Sequence, residues 1–210
     1  MSPIATLAKL EALGQSLFET RDLAALLNVP DSSATRTAAR LAQAGLLMKL
    51  GRGKWALSRN LNRLAVPEFL TSPFPSYISL QSALYHHGMI SQIPAVIYAV
   101  SLARTRRYDT PVGTISIHHI ESEFFFDYEL DESGTVKMAT PEKALVDVCY
   151  FSPTRSRLFK RLPEIEIPRR FSWNKTLAIA SKIKSQARRT FVEHTLATLR
   201  DSIKAGKRHR

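Results

Sequence analysis

Residues 31–57 read DSSATRTAARLAQAGLLMKLGRGKWAL, and this stretch decides how the N-terminal part of the chain folds. Ala34, Ala38 and Leu41 recur at helical spacing and form a narrow apolar seam along one predicted helix. Gly45 follows where a left-handed residue commonly ends a helix. Two apolar runs then flank a Gly-Arg-Gly-Lys turn, which predicts a β-hairpin with two cations at its tip.

Two more short helices are predicted before this stretch. Apolar residues at helical spacing predict one helix from Pro3 to Leu13 and a second from Arg21 to Asn28. We expect Thr20 to cap the second helix, and Asp31 or Ser32 to cap the third. Three short helices followed by a two-stranded wing are the order of a winged helix-turn-helix, whose third helix enters the DNA major groove.

The side of the third helix opposite the seam is polar and basic. Its hydroxyl and guanidinium groups can hydrogen-bond base edges and phosphates. A charged helix face by itself is more often merely solvated, but the preceding helices and the following basic hairpin favour DNA as the partner. The predicted DNA contacts are Ser33, Arg36, Thr37 and Arg40 on the helix, and Arg52 and Lys54 on the hairpin.

The net charge of the chain is +12, and it is unevenly distributed. Residues 1–64 hold nine Lys or Arg against four Asp or Glu, residues 65–154 hold five against ten, and residues 155–210 hold sixteen against four. A nucleic-acid partner would explain both basic ends, because Lys and Arg contacts release counterions from phosphates. For the C-terminal end, solvated basic helices are an equally good explanation.

Composition excludes several classes of protein. The 210 residues include 44% hydrophobic ones, enough for one large or two small cores. The sequence contains no run of eighteen apolar residues and no signal-peptide pattern, so we expect no membrane span and a cytoplasmic location. Cys149 is the single cysteine, which rules out an internal disulfide or a zinc finger. Its apolar neighbours predict that it is buried.

Proline-rich segments between residues 60 and 75 predict a domain boundary, giving a first domain at 1–64 and a second at 76–210. The overall fold class is therefore α+β, with a winged helix-turn-helix, a small α+β domain and a basic helical extension at 155–210. In the second domain we expect helices at 77–88, from 140 onward, at 173–184 and from 188 onward, and strands at 95–100, 114–118, 124–130 and 136–139, the last two joined by a turn at 131–134.

The last helix carries an apolar stripe on one side and cations on the other. Val192, Leu196, Leu199 and Ile203 recur at helical spacing. Such a stripe more often packs into the core than binds a partner, and we expect the core here. The basic opposite faces leave open a third possibility, that these helices are the main contact to RNA or to a protein.

Three motifs occur together in this chain: GRGKWAL at 51–57, YISLQSALYHHG at 77–88 and ATPEKALVD at 139–147. Over about residues 10–150 the chain resembles the AbiEi-type antitoxins of bacterial type IV toxin–antitoxin systems. The resemblance implies a winged helix that represses its own promoter at inverted repeats in double-stranded DNA. It also implies a second domain that counters a nucleotidyltransferase-like toxin, without a tight complex. Standalone regulators share this architecture, so the toxin is implied only.

An enzyme is the minority interpretation. Glu121, Glu123, Asp127 and Glu129 would share one face of an uninterrupted strand and could hold Mg²⁺ in a metal-dependent nuclease, although a solvated acidic strand is far commoner. Adjacent histidines at 118–119 would point to opposite sides of a strand, which disfavours a shared metal. The chain lacks a glycine-rich phosphate loop and a nucleophile elbow. We therefore predict no catalytic residue, cofactor or metal.

Overall fold

The computed structural model describes residues 3–131, 134–152 and 164–208. Their fold is α+β, as predicted. The α-helices are α1 (Pro3–Ala12), α2 (Thr20–Leu27), α3 (Asp31–Gln43), α4 (Val66–Thr71), α5 (Leu80–His86), α6 (Pro141–Phe151), α7 (Trp173–Ala180) and α8 (Gln186–Arg208). The strands are β1 (Leu17–Glu19), β2 (Leu47–Gly51), β3 (Lys54–Leu57), β4 (Ser76–Ile78), β5 (Val96–Ser101), β6 (Arg106–Thr110), β7 (Gly113–His119), β8 (Tyr128–Leu130) and β9 (Lys137–Ala139).

The first three helices and the hairpin form a winged helix-turn-helix head, as the sequence predicts. The hairpin of β2 and β3 is the wing, and β1 joins it to make a three-stranded sheet of order β1-β3-β2. Sequence patterning missed β1 because it has only three residues. Leu10, Leu23, Leu41 and Trp55 meet in the core of the head, and each is almost fully buried.

The ends of α2 and α3 differ in detail from the prediction. Glu19 rather than Thr20 caps α2, in a reciprocal capping box with Asp22. Thr20 instead uses its hydroxyl oxygen to accept a hydrogen bond of 3.0 Å from the indole N–H of Trp55. The residue before α3 is Pro30, which has no side chain that can cap, so the prediction for Asp31 or Ser32 as the cap is wrong.

Gly45 ends α3 as predicted. Its φ of +73° lies in the left-handed region that favours glycine. The N–H of Leu46 donates to the carbonyl of Leu41 at 3.0 Å, and the N–H of Gly45 donates to Ala42 at 3.0 Å. This double closure is a Schellman motif, which turns the chain sharply from α3 into the wing.

The second core is built on a six-stranded mixed sheet of order β6-β7-β5-β4-β9-β8. The pairs β4–β9 and β5–β7 are parallel, and the other neighbours are antiparallel. Two sequence predictions fail here. Residues 77–78 belong to β4 rather than to the helix, and residues 124–127 are not strand, because a 3-10 turn at Ser122–Phe124 and a left-handed Asp127 interrupt the extended chain. The hairpin turn at 131–134 lies partly outside the described residues.

The helix predicted from Thr140 onward is confirmed. The Thr140 hydroxyl accepts a hydrogen bond from the backbone N–H of Lys143, and Pro141 is the first residue of α6. Cys149 is buried, as expected. Val192 and Leu196 of the C-terminal stripe are buried in the second core, which confirms the core interpretation for this part of α8. The predicted helix at 173–184 ends earlier, at Ala180, and residues 155–163 lie outside the described part.

The predicted boundary between the domains contains α4, which packs rather than forming a free linker. Leu50 and Ala56 from the wing join Val66 and Leu70 in the second core. An ion pair between Glu68 of α4 and Lys137 of β9 adds a polar link. The wing therefore has one face in the core of the head and another against the second domain. Within the described residues, no helix is long and apolar enough to cross a membrane.

Candidate nucleic-acid interface

The candidate recognition surface is the outer face of α3. Ala34 and Ala38 are fully buried and hold the helix close to its neighbours, because their small side chains allow a short approach. The opposite face forms a shallow groove of about 480 Å³. The side chains that line this groove are Ser33, Arg36, Thr37, Ala39, Arg40 and Gln43.

Four of the six predicted DNA contacts are thus brought together on one surface. Arg36 and Arg40 are exposed, while Ser33 and Thr37 are half-buried at the base of the groove. The Arg36 guanidinium donates a hydrogen bond of 3.1 Å to the Ser33 hydroxyl. The Thr37 hydroxyl donates to the Ser33 carbonyl at 2.9 Å, which leaves its oxygen able to accept. Among the described residues, no carboxylate pairs with either arginine, so both charges are available to a partner.

The two predicted wing contacts differ sharply. Arg52 is exposed at the tip of the hairpin. The Lys54 side chain is only 17% exposed and points back into the protein, where its ammonium lies 3.5 Å from a Glu19 carboxylate oxygen. The same ammonium donates to the Phe69 carbonyl at 2.5 Å and lies 4.7 Å from the Phe69 ring centroid. This geometry favours a structural role for Lys54, joining the wing to α4.

A second groove, of about 710 Å³, separates the wing from the start of α3. Arg52 and Lys49 line its wing side, and Asp31 lines the α3 side. Asp109 of β6 reaches the same groove from the second domain. Lys49 is an exposed cation that we did not predict as a contact. The alternation of apolar and polar residues along β2 would have identified it, because every second side chain of a half-buried strand faces solvent.

The most strongly buried charges lie in the second domain. The Lys143 ammonium is 2.5 Å from a carboxylate oxygen of Asp147, and both side chains are fully buried. Asp147 also accepts hydrogen bonds from the hydroxyls of Tyr77 at 3.0 Å and Ser79 at 2.7 Å. Burial lowers the pKa of Lys143, against the opposing effect of Asp147, and burial together with Asp147 raises the pKa of Tyr77 well above its usual value. This cluster is sealed from solvent, so it holds the fold together rather than binding a substrate.

The carboxylates of the predicted nuclease alternative do not form one cluster on a strand. Asp127 lies 3.1 Å from the ammonium of Lys175 and accepts a hydrogen bond of 2.6 Å from Thr140. Glu123 pairs instead with Lys184. Glu129 is on β8, beyond the interruption at Asp127. The uninterrupted strand that this alternative requires is absent from this part of the described chain.

The histidines are not arranged as metal ligands. His118 lies in the sheet with its ring 5.3 Å from that of Phe151, and burial lowers its pKa to about 4. His119 is exposed on the next position of β7. The rings of His86 and His87 meet edge to face, and His87 Nε2 lies 2.7 Å from the Ala139 carbonyl oxygen. Among the described residues, no group of three His, Cys, Asp or Glu side chains could hold a metal ion.

Comparison with known proteins gives one family. Residues 6–58 match the family model described as "Transcriptional regulator, AbiEi antitoxin". The match covers most of the head, including α2, α3 and the wing, and it confirms the resemblance seen in the sequence for this part of the chain. The motifs at 77–88 and 139–147 lie outside the matched segment. The family is one of regulators rather than enzymes. No curated protein matches the chain.

Proposed function

We propose that this chain is a transcriptional repressor that binds inverted repeats in double-stranded DNA at its own promoter. The observation that carries the proposal is the shape of α3. One side is a seam of buried small residues, and the other presents two unpaired arginines, two hydroxyls and an amide. This arrangement suits a helix lying in the major groove, because those groups can read base edges. The match to a family of transcriptional regulators adds independent support.

Within this proposal the residues have different tasks. Arg36 and Arg40 read bases, for which a bidentate contact to guanine is the usual geometry. Ser33 and Thr37 accept or donate hydrogen bonds at the base of the groove and to phosphates. Arg52 contacts the phosphate backbone from the wing tip. Lys54, engaged by Glu19 and the Phe69 carbonyl, supports the wing.

The proposal includes a division of labour between two domains, at residues 1–64 and 76–210. The second domain acts as the antitoxin part and counters a nucleotidyltransferase-like toxin without a tight complex. The family description, which names antitoxins, supports this role. A standalone regulator is the alternative. Co-expression separates the two, since an antitoxin restores growth to cells that express a nucleotidyltransferase-like toxin from a neighbouring gene, and a standalone regulator does not.

The DNA-binding proposal is tested by fluorescence anisotropy with a labelled duplex taken from upstream of the gene and with a scrambled duplex. We expect the wild-type chain to prefer the upstream duplex. The Arg36→Ala/Arg40→Ala variant should lose about 1–3 kcal/mol for each bidentate base contact and discriminate less between the two duplexes.

A matched control removes two cations elsewhere. Lys184 and Lys204 are exposed on the C-terminal helices, and the Lys184→Ala/Lys204→Ala variant should keep the preference for the upstream duplex. Equal binding of both duplexes by wild type and the α3 variant would refute sequence-specific recognition by α3. Loss of preference in the C-terminal variant alone would move the main contact to α7 and α8.

A further inference from the structure

The acidic middle of the chain contains a small and unusual group of cations. Residues 65–154 hold only five Lys or Arg. Lys137 is paired with Glu68, and Lys143 is buried against Asp147. The remaining three stand within four positions of one another. We call Arg104, Arg106 and Arg107 the arginine strip.

The arginine strip lies on the edge of the sheet that faces the DNA-binding head. Arg106 and Arg107 belong to β6, the outer strand of the six-stranded sheet. β6 lies beside β2 of the wing. Further along the same strand, Asp109 lines the groove that Arg52 borders from the wing tip. The strip therefore continues, in the second domain, the basic surface that begins on the wing.

The strip is held in a defined position. The backbone N–H of His119 donates to the Thr105 hydroxyl at 3.0 Å, and His119 Nδ1 lies 3.2 Å from the Ala103 carbonyl oxygen. These contacts fix the loop before β6 to the end of β7. The Arg106 guanidinium lies 4.9 Å from the Tyr108 ring centroid. All three arginines are exposed, and of the three only Arg107 has a carboxylate partner among the described residues, Asp109 at 3.4 Å.

We infer that the arginine strip is a second contact to the phosphate backbone of the DNA that the head binds. A strand rises about 3.3 Å per residue, so the strip extends roughly 7–17 Å beyond Asp109. One DNA strand carries a phosphate about every 3.4 Å of its axis, so the strip can follow several phosphates beside those contacted by the wing. The inference rests on the proposed function and assigns part of the DNA contact to the second domain.

Exposed charges on an edge strand have a second physical role, which is to prevent pairing with the edge of another sheet. The two roles predict different results. Edge protection requires only polar side chains at positions 104 and 106, whereas a phosphate contact requires positive charge. Substitution by glutamine keeps the polarity and removes the charge, and substitution by lysine keeps the charge.

The experiment measures binding of the full-length chain to the upstream duplex between 50 and 200 mM salt. Each phosphate contact contributes about 0.9 to the slope of log affinity against log salt. We expect the Arg104→Gln/Arg106→Gln variant to lose nearly two units of slope, so that this rise in salt weakens wild type about tenfold more than the variant. The preference for the upstream over the scrambled duplex should remain, and Arg104→Lys/Arg106→Lys should restore the wild-type slope.

The Lys184→Gln/Lys204→Gln variant has the same net charge and serves as the control. An unchanged slope in the glutamine variant of the strip, or an equal fall in this control, would overturn the inference while leaving the head as the DNA-binding part. Absence of DNA binding by the wild-type chain would overturn both the inference and the proposed function. Circular dichroism of each variant verifies that a changed slope does not reflect unfolding.

Discussion

Two helices of similar length, α3 and α6, carry charged residues in opposite surroundings. α3 has 13 residues and packs through one side only, so Arg36 and Arg40 remain in solvent. α6 has 11 residues and is enclosed by β9 and by α5, α7 and α8. Its charged side chains, Lys143 and Asp147, are fully buried and neutralise each other. The same residue types are therefore open to a partner in one helix and committed to the fold in the other.

The comparison shows that the number of covered faces decides what a charge does. A cation on a helix with one covered face loses little hydration and can exchange its water for phosphates or bases. A cation on a helix covered all round is costly to bury and must be paired within the molecule. Substitutions in α6 should therefore act on stability, and substitutions on the outer face of α3 should act on binding.

The largest effect is expected at the buried pair of α6. Lys143→Met removes one partner and leaves the Asp147 carboxylate buried without its counter-charge, so the free energy of unfolding should fall by about 3–5 kcal/mol. Urea unfolding followed by circular dichroism measures this. The double variant Lys143→Met/Asp147→Leu should be more stable than the single one, because no unpaired charge is left. A single variant as stable as wild type would contradict the role assigned to the pair.

A pH effect is expected at His118, whose ring packs on Phe151 at the end of α6. Burial lowers its pKa from 6.5 to about 4, so the unfolded chain binds the proton first as the pH falls. The stability due to the neutral ring is complete above about pH 6.5 and is lost progressively between pH 6.5 and 4, by about 2–3 kcal/mol.

The measurement compares urea unfolding of wild type and His118→Gln at pH 7.5 and pH 4.5. Glutamine cannot take up the proton, so the variant should lose less stability on acidification than wild type. Identical losses in the two proteins would mean that His118 is not a source of acid sensitivity. The comparison cancels the effect of carboxylates, since the two proteins share them.

Within α3, one substitution at two adjacent positions should give opposite results. Ala38 is fully buried, and Ala39 is exposed in the candidate DNA groove. Ala38→Leu should lower the free energy of unfolding by about 1–3 kcal/mol, because the tight seam has no room for three more carbon atoms. Ala39→Leu should leave stability within about 0.5 kcal/mol and weaken binding to the upstream duplex. Equal destabilisation by both would show that the seam does not distinguish the two faces.

The smallest effects are expected in the wing. Lys54→Ala removes the contacts with Glu19 and the Phe69 carbonyl and should reduce the free energy of unfolding by about 1 kcal/mol, with little change in the salt dependence of DNA binding. Arg52→Ala should do the reverse, with unchanged stability and a salt slope lower by about one unit. If Lys54→Ala also lowered the slope by one unit, Lys54 would be a DNA contact, as the sequence alone suggested.

Much of the head could be predicted from local sequence. The seam of Ala34, Ala38 and Leu41, the stop at Gly45 and the basic turn of the hairpin each follow from nearest-neighbour geometry, and the structure has all of them. The cap of α2 could not be read in this way. Thr20 is a good capping residue in isolation, but the indole of Trp55, distant in sequence, engages its hydroxyl, and Glu19 takes over the cap.

The second domain was predicted less completely, because short strands and turns depend on distant partners. β6 carries no apolar alternation that would mark it as a strand, and it forms because β7 pairs with it. The acidic run from 121 to 129 alternates in sequence, yet Asp127 takes a left-handed backbone and contacts Lys175, 48 positions further along. Alternation alone cannot detect such an interruption.

The sequence by itself determined the order of elements in the head, the α+β class and the candidate recognition face on α3, because these depend on residue spacing over a few turns. Only the tertiary structure decided which cations remain available. Lys54 turns inward to Glu19 and Lys143 to Asp147, while Arg104 and Arg106 are carried to the edge of the sheet beside the wing. The reason is physical, since the availability of a charge depends on the neighbours that folding brings to it, and those neighbours are remote in sequence.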